Sequence, residues 1–193
     1  MMTAEFGHVA PFTDVTMIPF RLFRVGDKVV YPNHGVGTVE HISNRYLGGV
    51  SEQFYLVRIE TSNMRVMVPF ASVDTVGMRP VAREDDVSQT LNFLQCGECC
   101  PHTDWKDRFK ENSEKMRTGS LLHVAQVLKS LLLLHRAKPL SFREKKMLDR
   151  AVVLLVNELA SSRCMDPGEA TELVRQALAA AQLELPTPET ADA

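Results

Sequence analysis

"RVGDKVVYPNHGVGTVEHI", Arg24–Ile42, is the stretch that decides the fold. Apolar and polar residues alternate from Asp27 to Tyr31, with Val29 and Tyr31 on one face, and alternate again from Val36 to Ile42. Between the two runs, Pro32-Asn33-His34-Gly35 supplies the residue types that reverse a chain. A third run, "QFYLVRIE" (Gln53–Glu60), sets Phe54, Leu56, Arg58 and Glu60 against Tyr55, Val57 and Ile59. Gly48-Gly49 makes the turn before it. "TSNM" makes the turn after it, into a short fourth strand, Arg65–Val68, closed by Pro69. Four or five short, bent strands in about fifty residues predict a small SH3- or Tudor-like β-barrel. Such barrels carry function on loops and strand edges. A lone His34 in a turn reads as a hydrogen-bonding turn residue rather than a general base.

The period then changes from two to 3.6. "ASVDTVGMRPVARED" is a connector punctuated by Gly77 and Pro80, and a short helix is expected from about Glu84 to Leu94. Each later helix has a start signal. Asp104 can cap a helix that begins at Trp105, with Asp107 three residues on. Gly119-Ser120 ends that helix and caps the next, whose Leu121, Val124, Ala125, Leu128, Leu131 and Leu132 fall on one stripe. Pro139 breaks it. Ser141 and Glu144 form a capping box for a helix striped by Met147, Leu148, Ala151, Leu154, Leu155 and Leu159. Asp166-Pro167-Gly168-Glu169 opens a last helix, with a cap, a proline at the first position and an acid at the third. The fold class is therefore α+β: a flexible arm (1–22), a small Tudor/SH3-like barrel (23–80), an all-helical domain (81–183) and a disordered tail (184–193).

The composition, 45% apolar and 24% charged, is that of a globular protein, and the net charge of −2 argues against general polyanion binding. The average hides an asymmetry. From Pro101 to Arg150 twelve lysines and arginines stand against six acids, while the flanking regions are acidic on balance. The two readings of this basic middle are a local anionic contact and a solvated helical surface. No apolar run approaches the roughly 18 residues of a membrane span. The N-terminus lacks a basic start, and Pro11, Asp14 and Pro19 interrupt it, so a signal peptide is not expected and a cytoplasmic location is.

Motifs for chemistry are sparse. There is no Walker loop, H-E-x-x-H, G-x-S-x-G or G-x-G-x-x-G in this sequence, so neither an enzyme nor a small-molecule cofactor is expected. Cys96, Cys99, Cys100 and His102 offer soft ligands with one Cys-x-x-Cys spacing but no second pair. Reduced thiols are the default reading and a structural zinc is the alternative. Trp105, the single tryptophan, sits at a helix tip followed by Lys106, Arg108 and Lys110. Pattern alone leaves two readings: a core residue sharing a face with Phe109 and Met116, or an apolar wedge on nucleic acid beside a positive helix end. A second basic cluster, Arg143, Lys146 and Arg150 with Lys145 at its flank, is either a solvated face or a set of phosphate contacts.

These segments together resemble one family. "RVGDKVVYPNHGVGTVEHI", "FYLVRIETSNMRVMVP", "DWKDRFKENSEKMRTGS" and "LSFREKKMLDRAVVLLVNELA" are similar to the CarD family of bacterial transcription regulators (CdnL-type), in order, from about Phe23 to about Ala181. The first segment also resembles a module of the transcription-repair coupling factor, a helicase whose motor motifs are absent from this sequence. The resemblance implies that the barrel docks on the β subunit of RNA polymerase through an exposed strand edge. It implies that the helical domain contacts promoter DNA at the upstream fork of the bubble, with Trp105 wedged in the minor groove. Arg45 falls on a polymerase-contacting position, and Met67 on another where some members carry arginine. Trp105, Arg108, Lys110, Lys145, Lys146 and Arg150 are then the expected DNA-binding residues, while Asp107 stands where some members have a basic residue. The reading from another class is an adaptor whose helices bind a second protein and no DNA.

Overall fold

The computed structural model describes residues 23–47, 50–99 and 104–185. The expected arm lies outside these residues, as does the tail beyond Leu185. The described chain is α+β, with five strands followed by helices: β1 (Lys28–Tyr31), β2 (Gly35–Leu47), β3 (Val50–Ile59), β4 (Arg65–Pro69), β5 (Arg79–Pro80), α1 (Val73–Val76, between β4 and β5), α2 (Glu84–Cys96), α3 (Trp105–Arg117), α4 (Leu121–Ala137), α5 (Phe142–Arg163) and α6 (Pro167–Ala180).

The sheet is antiparallel in the order β4-β3-β2-β1-β5. It is open, so barrel describes it only loosely. The reason lies at its edges. β5 is two residues long and ends in a proline, which has no N–H to donate. A 3-10 turn (Phe70–Ser72) and α1 run from β4 to β5 and pack on the inward face of the sheet instead. Phe70 stacks on Tyr55 at 4.0 Å, and Val73 and Met78 are buried with Val29, Val39, Val57, Ile59 and Val68. Tyr55, Val57 and Ile59 thus share the inward face that the alternation predicts. Phe23 closes this core: its N–H donates to Tyr55 Oη at 3.0 Å and the two rings meet edge to face. Gly37 is required where β2 crosses β3, because a Cβ there would lie 2.8 Å from the Arg58 carbonyl oxygen.

The pairing of β2 with β3 shifts register between Val39 and His41, leaving Glu40 as the extra residue. Its carboxylate lies between Arg58 and Arg65, 2.8 Å from each Nε. The hydrogen bond from Arg65 is the largest influence holding its pKa below the ordinary glutamate value.

The helices build a second core. α4 is its centre and packs on α2, α3 and α5, while α6 closes against α2 and α5. The expected stripes of α4 and α5 pack here, with Leu128, Leu131, Leu155 and Leu159 fully buried and Met147 half-buried, and Val174 and Leu178 of α6 join them. Leu185 still packs on this core, two residues into the expected tail. Caps occur where the sequence places them, at Asp104, Ser120, Ser141 and Asp166.

Polar bridges join sheet and helices. Arg79 of β5 donates to both carboxylate oxygens of Glu158 on α5, at 2.6 and 3.0 Å, and to the carbonyl of Gly119 between α3 and α4. Glu158 also accepts from the Ala82 N–H at 3.1 Å. Arg150 of α5 donates to the Asn33 carbonyl in the β1–β2 turn, with Nε at 2.8 Å. Gly119, in the left-handed conformation, leaves room for Pro32, whose Cγ would lie 3.0 Å from a Cβ at that position.

Candidate nucleic-acid interface and docking face

The helical tip starts at a cap. The Asp104 carboxylate accepts from the N–H groups of Lys106 at 2.7 Å and Asp107 at 3.3 Å, which fixes Trp105 as the first residue of α3. The buried face of α3 is Arg108, Asn112 and Met116, rather than Trp105, Phe109 and Met116. Trp105 stands 54% exposed and Phe109 is half-buried. Lys106 Nζ lies 5.9 Å from the Trp105 ring centre. Lys110 is exposed one turn further along.

Facing this tip is the start of α5. Ser141 caps it, and Glu144 completes the capping box by accepting from the Ser141 N–H at 3.0 Å. Phe142, the first helical residue, is 71% exposed, with Lys146 Nζ 4.5 Å above its ring. Arg143, Lys145 and Lys146 are all exposed.

A buried ion pair ties the two tips together. Arg108 is only 2% exposed and donates to Glu144 Oε1 from Nε at 3.2 Å and from Nη2 at 2.8 Å. Burial pushes the Glu144 carboxyl up, but hydrogen bonds from Ser141 and Arg108 outweigh it and leave the pKa below the ordinary value.

The sheet presents Arg45 and Met67. The register pairs Arg45 with Glu52, and Leu56 with both His41 and Met67. Period-two alternation then puts Arg45, Ser43, His41 and Met67 on one face, around Phe54 and Leu56. Arg45 and Met67 are exposed, Met67 on the edge strand β4 and Arg45 on β2. On the opposite face Tyr46 is exposed near the tip of the β2–β3 hairpin.

Residues 23–82 match the family model described as the CarD-like/TRCF RID domain, and residues 89–175 match CarD, C-terminal domain. The chain is 36% identical over 138 residues to the "Putative transcription factor YdeB" of Bacillus subtilis, covering 72% of this chain and 90% of that protein. The chain belongs to the CarD family. It is thereby a member of a family of transcription regulators. Among solved structures it is similar to CdnLNt from Myxococcus xanthus, with 35% identity over 41% of this chain and 97% of that one and a TM-score of 0.29.

Several residues of this CarD-family chain stand elsewhere than expected. Arg108, expected on the DNA-facing surface, is directed inward, because the Glu144 carboxylate holds its guanidinium between α3 and α5. Arg150, expected in the same role, gives its guanidinium to the Asn33 carbonyl and bridges to the sheet. His34 lies on that bridge, its pKa lowered by burial and by the Arg150 charge. Lys129, part of the basic middle, is buried and donates to the carbonyls of Phe93 at 3.0 Å and Leu94 at 2.7 Å, which closes the end of α2. Trp105, Lys110, Lys145 and Lys146 keep outward positions. Phe142 was missed by sequence reasoning, although the signal was there: it follows the cap directly and falls off the apolar stripe of α5. Of the possible zinc ligands, Cys100 and His102 lie outside the described residues. Cys96 is exposed, and Cys99 is half-buried with its Sγ 3.9 Å from the Gln126 carbonyl oxygen. Among the described residues no group of three or more His, Cys, Asp or Glu side chains is arranged to hold a metal, and no helix is long and apolar enough to cross a membrane.

Proposed function

We propose that this CarD-family chain regulates transcription initiation by docking on the β subunit of RNA polymerase and stabilising the promoter open complex at the upstream fork. The sheet face and β4 edge around Arg45 and Met67 form the tether. Trp105 is the wedge, with Lys110, Lys145 and Lys146 as phosphate contacts that position it. Arg108 and Arg150 serve this role indirectly, by holding the tip and the frame.

The observation that carries the reading is the exposed Trp105 at a capped helix start with lysines beside it. A large aromatic placed in water adds little to folding. Next to cations and a positive helix end it suits an apolar insertion between base steps. Unstacking a step costs a few kcal/mol, so the wedge favours a junction that is already distorted. It shifts the equilibrium toward the open complex only by binding that state better than the closed one. Tethering raises the local concentration of the wedge, which agrees with a chain whose net charge gives it little affinity for free DNA.

Footprinting of the upstream fork, with polymerase present, tests the reading. Added protein should extend protection over the fork, and Arg45→Glu should reduce both that protection and capture of the β subunit. Protection that ignores the protein would favour the adaptor reading instead.

A further inference from the structure

Two helices begin at the rim of one groove. α3 and α5 each start with an aromatic residue directly after the cap, Trp105 after Asp104 and Phe142 after Ser141. Both line a groove of about 730 Å3 whose deeper part is made by Phe109, Leu140 and the Arg108–Glu144 pair. Its volume lies in the range of sites that enclose small organic groups. Neither Trp105 nor Phe142 joins the helical core.

The electrostatics of the groove are one-sided. An ammonium group lies beside each ring, Lys106 by Trp105 and Lys146 by Phe142. Lys138 and Arg143 complete the rim. The first turns of both helices line the space, so the positive ends of two helix dipoles converge on it. Of the nearby carboxylates, Asp104 is used as a cap and Glu144 is paired with Arg108, while Asp107 is exposed.

Aromatic faces next to cations form the usual platform for single-stranded nucleic acid, because every base has a π-face and every link a phosphate. A base that remains paired in a duplex cannot enter between two such lips. An unpaired one can. We infer that the groove between the tips of α3 and α5 takes one unpaired nucleobase of the displaced strand at the fork, stacked against Phe142 and Trp105, with the flanking phosphates on Lys106 and Lys146. This rests on the reading that Trp105 works at the fork. It adds a second aromatic and a ligand class to that reading.

The test uses the full chain, RNA polymerase holoenzyme and promoter DNA with 2-aminopurine at the first unpaired upstream position of the displaced strand. Stacking should quench the probe when the protein is added, and a fully duplex control should not respond. Phe142→Ala should raise the protein concentration needed for the quench by about tenfold, in line with the loss of one base–aromatic stack. Phe142→Tyr should restore it. Because Phe142 is largely exposed, the thermal melt of Phe142→Ala should match that of the parent. An unchanged quench in Phe142→Ala would overturn the assignment. So would a loss of polymerase capture in the absence of DNA, which would make the groove a protein contact. Trp105→Ala is run alongside for open-complex lifetime. If the lifetime shortens while the Phe142→Ala quench stays unchanged, only the groove assignment fails. If the lifetime does not change, the fork reading fails and the groove assignment with it.

Discussion

Glu144 serves two structures at once. Its carboxylate closes the capping box of α5 through the Ser141 N–H and hydroxyl, and it holds the buried guanidinium of Arg108. Glu144→Gln preserves a capping-box shape but leaves Arg108 without its carboxylate. Removing one partner of a buried pair costs about 3 kcal/mol, so urea denaturation at neutral pH should show a loss of that order. The folded-state pKa of Glu144 is lowered. Its contribution is therefore present above the unfolded glutamate value of about 4.3 and is lost as pH falls through the lowered value. The stability difference between parent and Glu144→Gln should shrink across that acid range and stay constant above it. Arg108 also marks what a sequence reading cannot see. Periodicity counts hydrocarbon and assigns arginine to the surface. The partner that permits its burial lies 36 residues away.

At the scale of elements, local chemistry was legible and closure was not. Caps are short-range signals, and Ser141 with Glu144, or Asp166 with Pro167 and Glu169, fixed helix starts from neighbouring residues alone. Strand faces followed from alternation. Whether the sheet closes depends on how its two edge strands meet across the fold, and no local pattern records that. The start of α5 also carries a prediction. Lys145 and Lys146 are exposed beside the proposed wedge. Replacing both with Gln should reduce the salt dependence of promoter engagement by about one unit of log–log slope per lost phosphate contact. Titrating engagement against salt with polymerase present measures this, and an unchanged slope would return the pair to a solvated helix face.

For the whole molecule, the relation between sheet and helices sets the distance from the proposed docking face to the proposed wedge. Arg79 and Glu158, 79 residues apart in sequence, hold the two units together, and Arg150 reaches 117 residues back to Asn33. Such long-range pairs were invisible in the sequence, where Arg150 reads as part of a solvated face or a phosphate contact and nothing marks Arg79. Arg79→Ala should destabilise the chain by about 3 kcal/mol, because Glu158 stays buried without its cation. At temperatures where the variant remains folded, it should still capture the polymerase β subunit yet prolong the open complex less than the parent does. Capture assays and open-complex half-lives on the same preparation separate the two effects. The most direct test of the central claim is the half-life of a reconstituted open complex with the parent protein and with Trp105→Ala. The account predicts that Trp105→Ala, exposed and off the core, keeps its fold and its polymerase capture but loses most of the gain in half-life. A half-life equal to that given by the parent would contradict it.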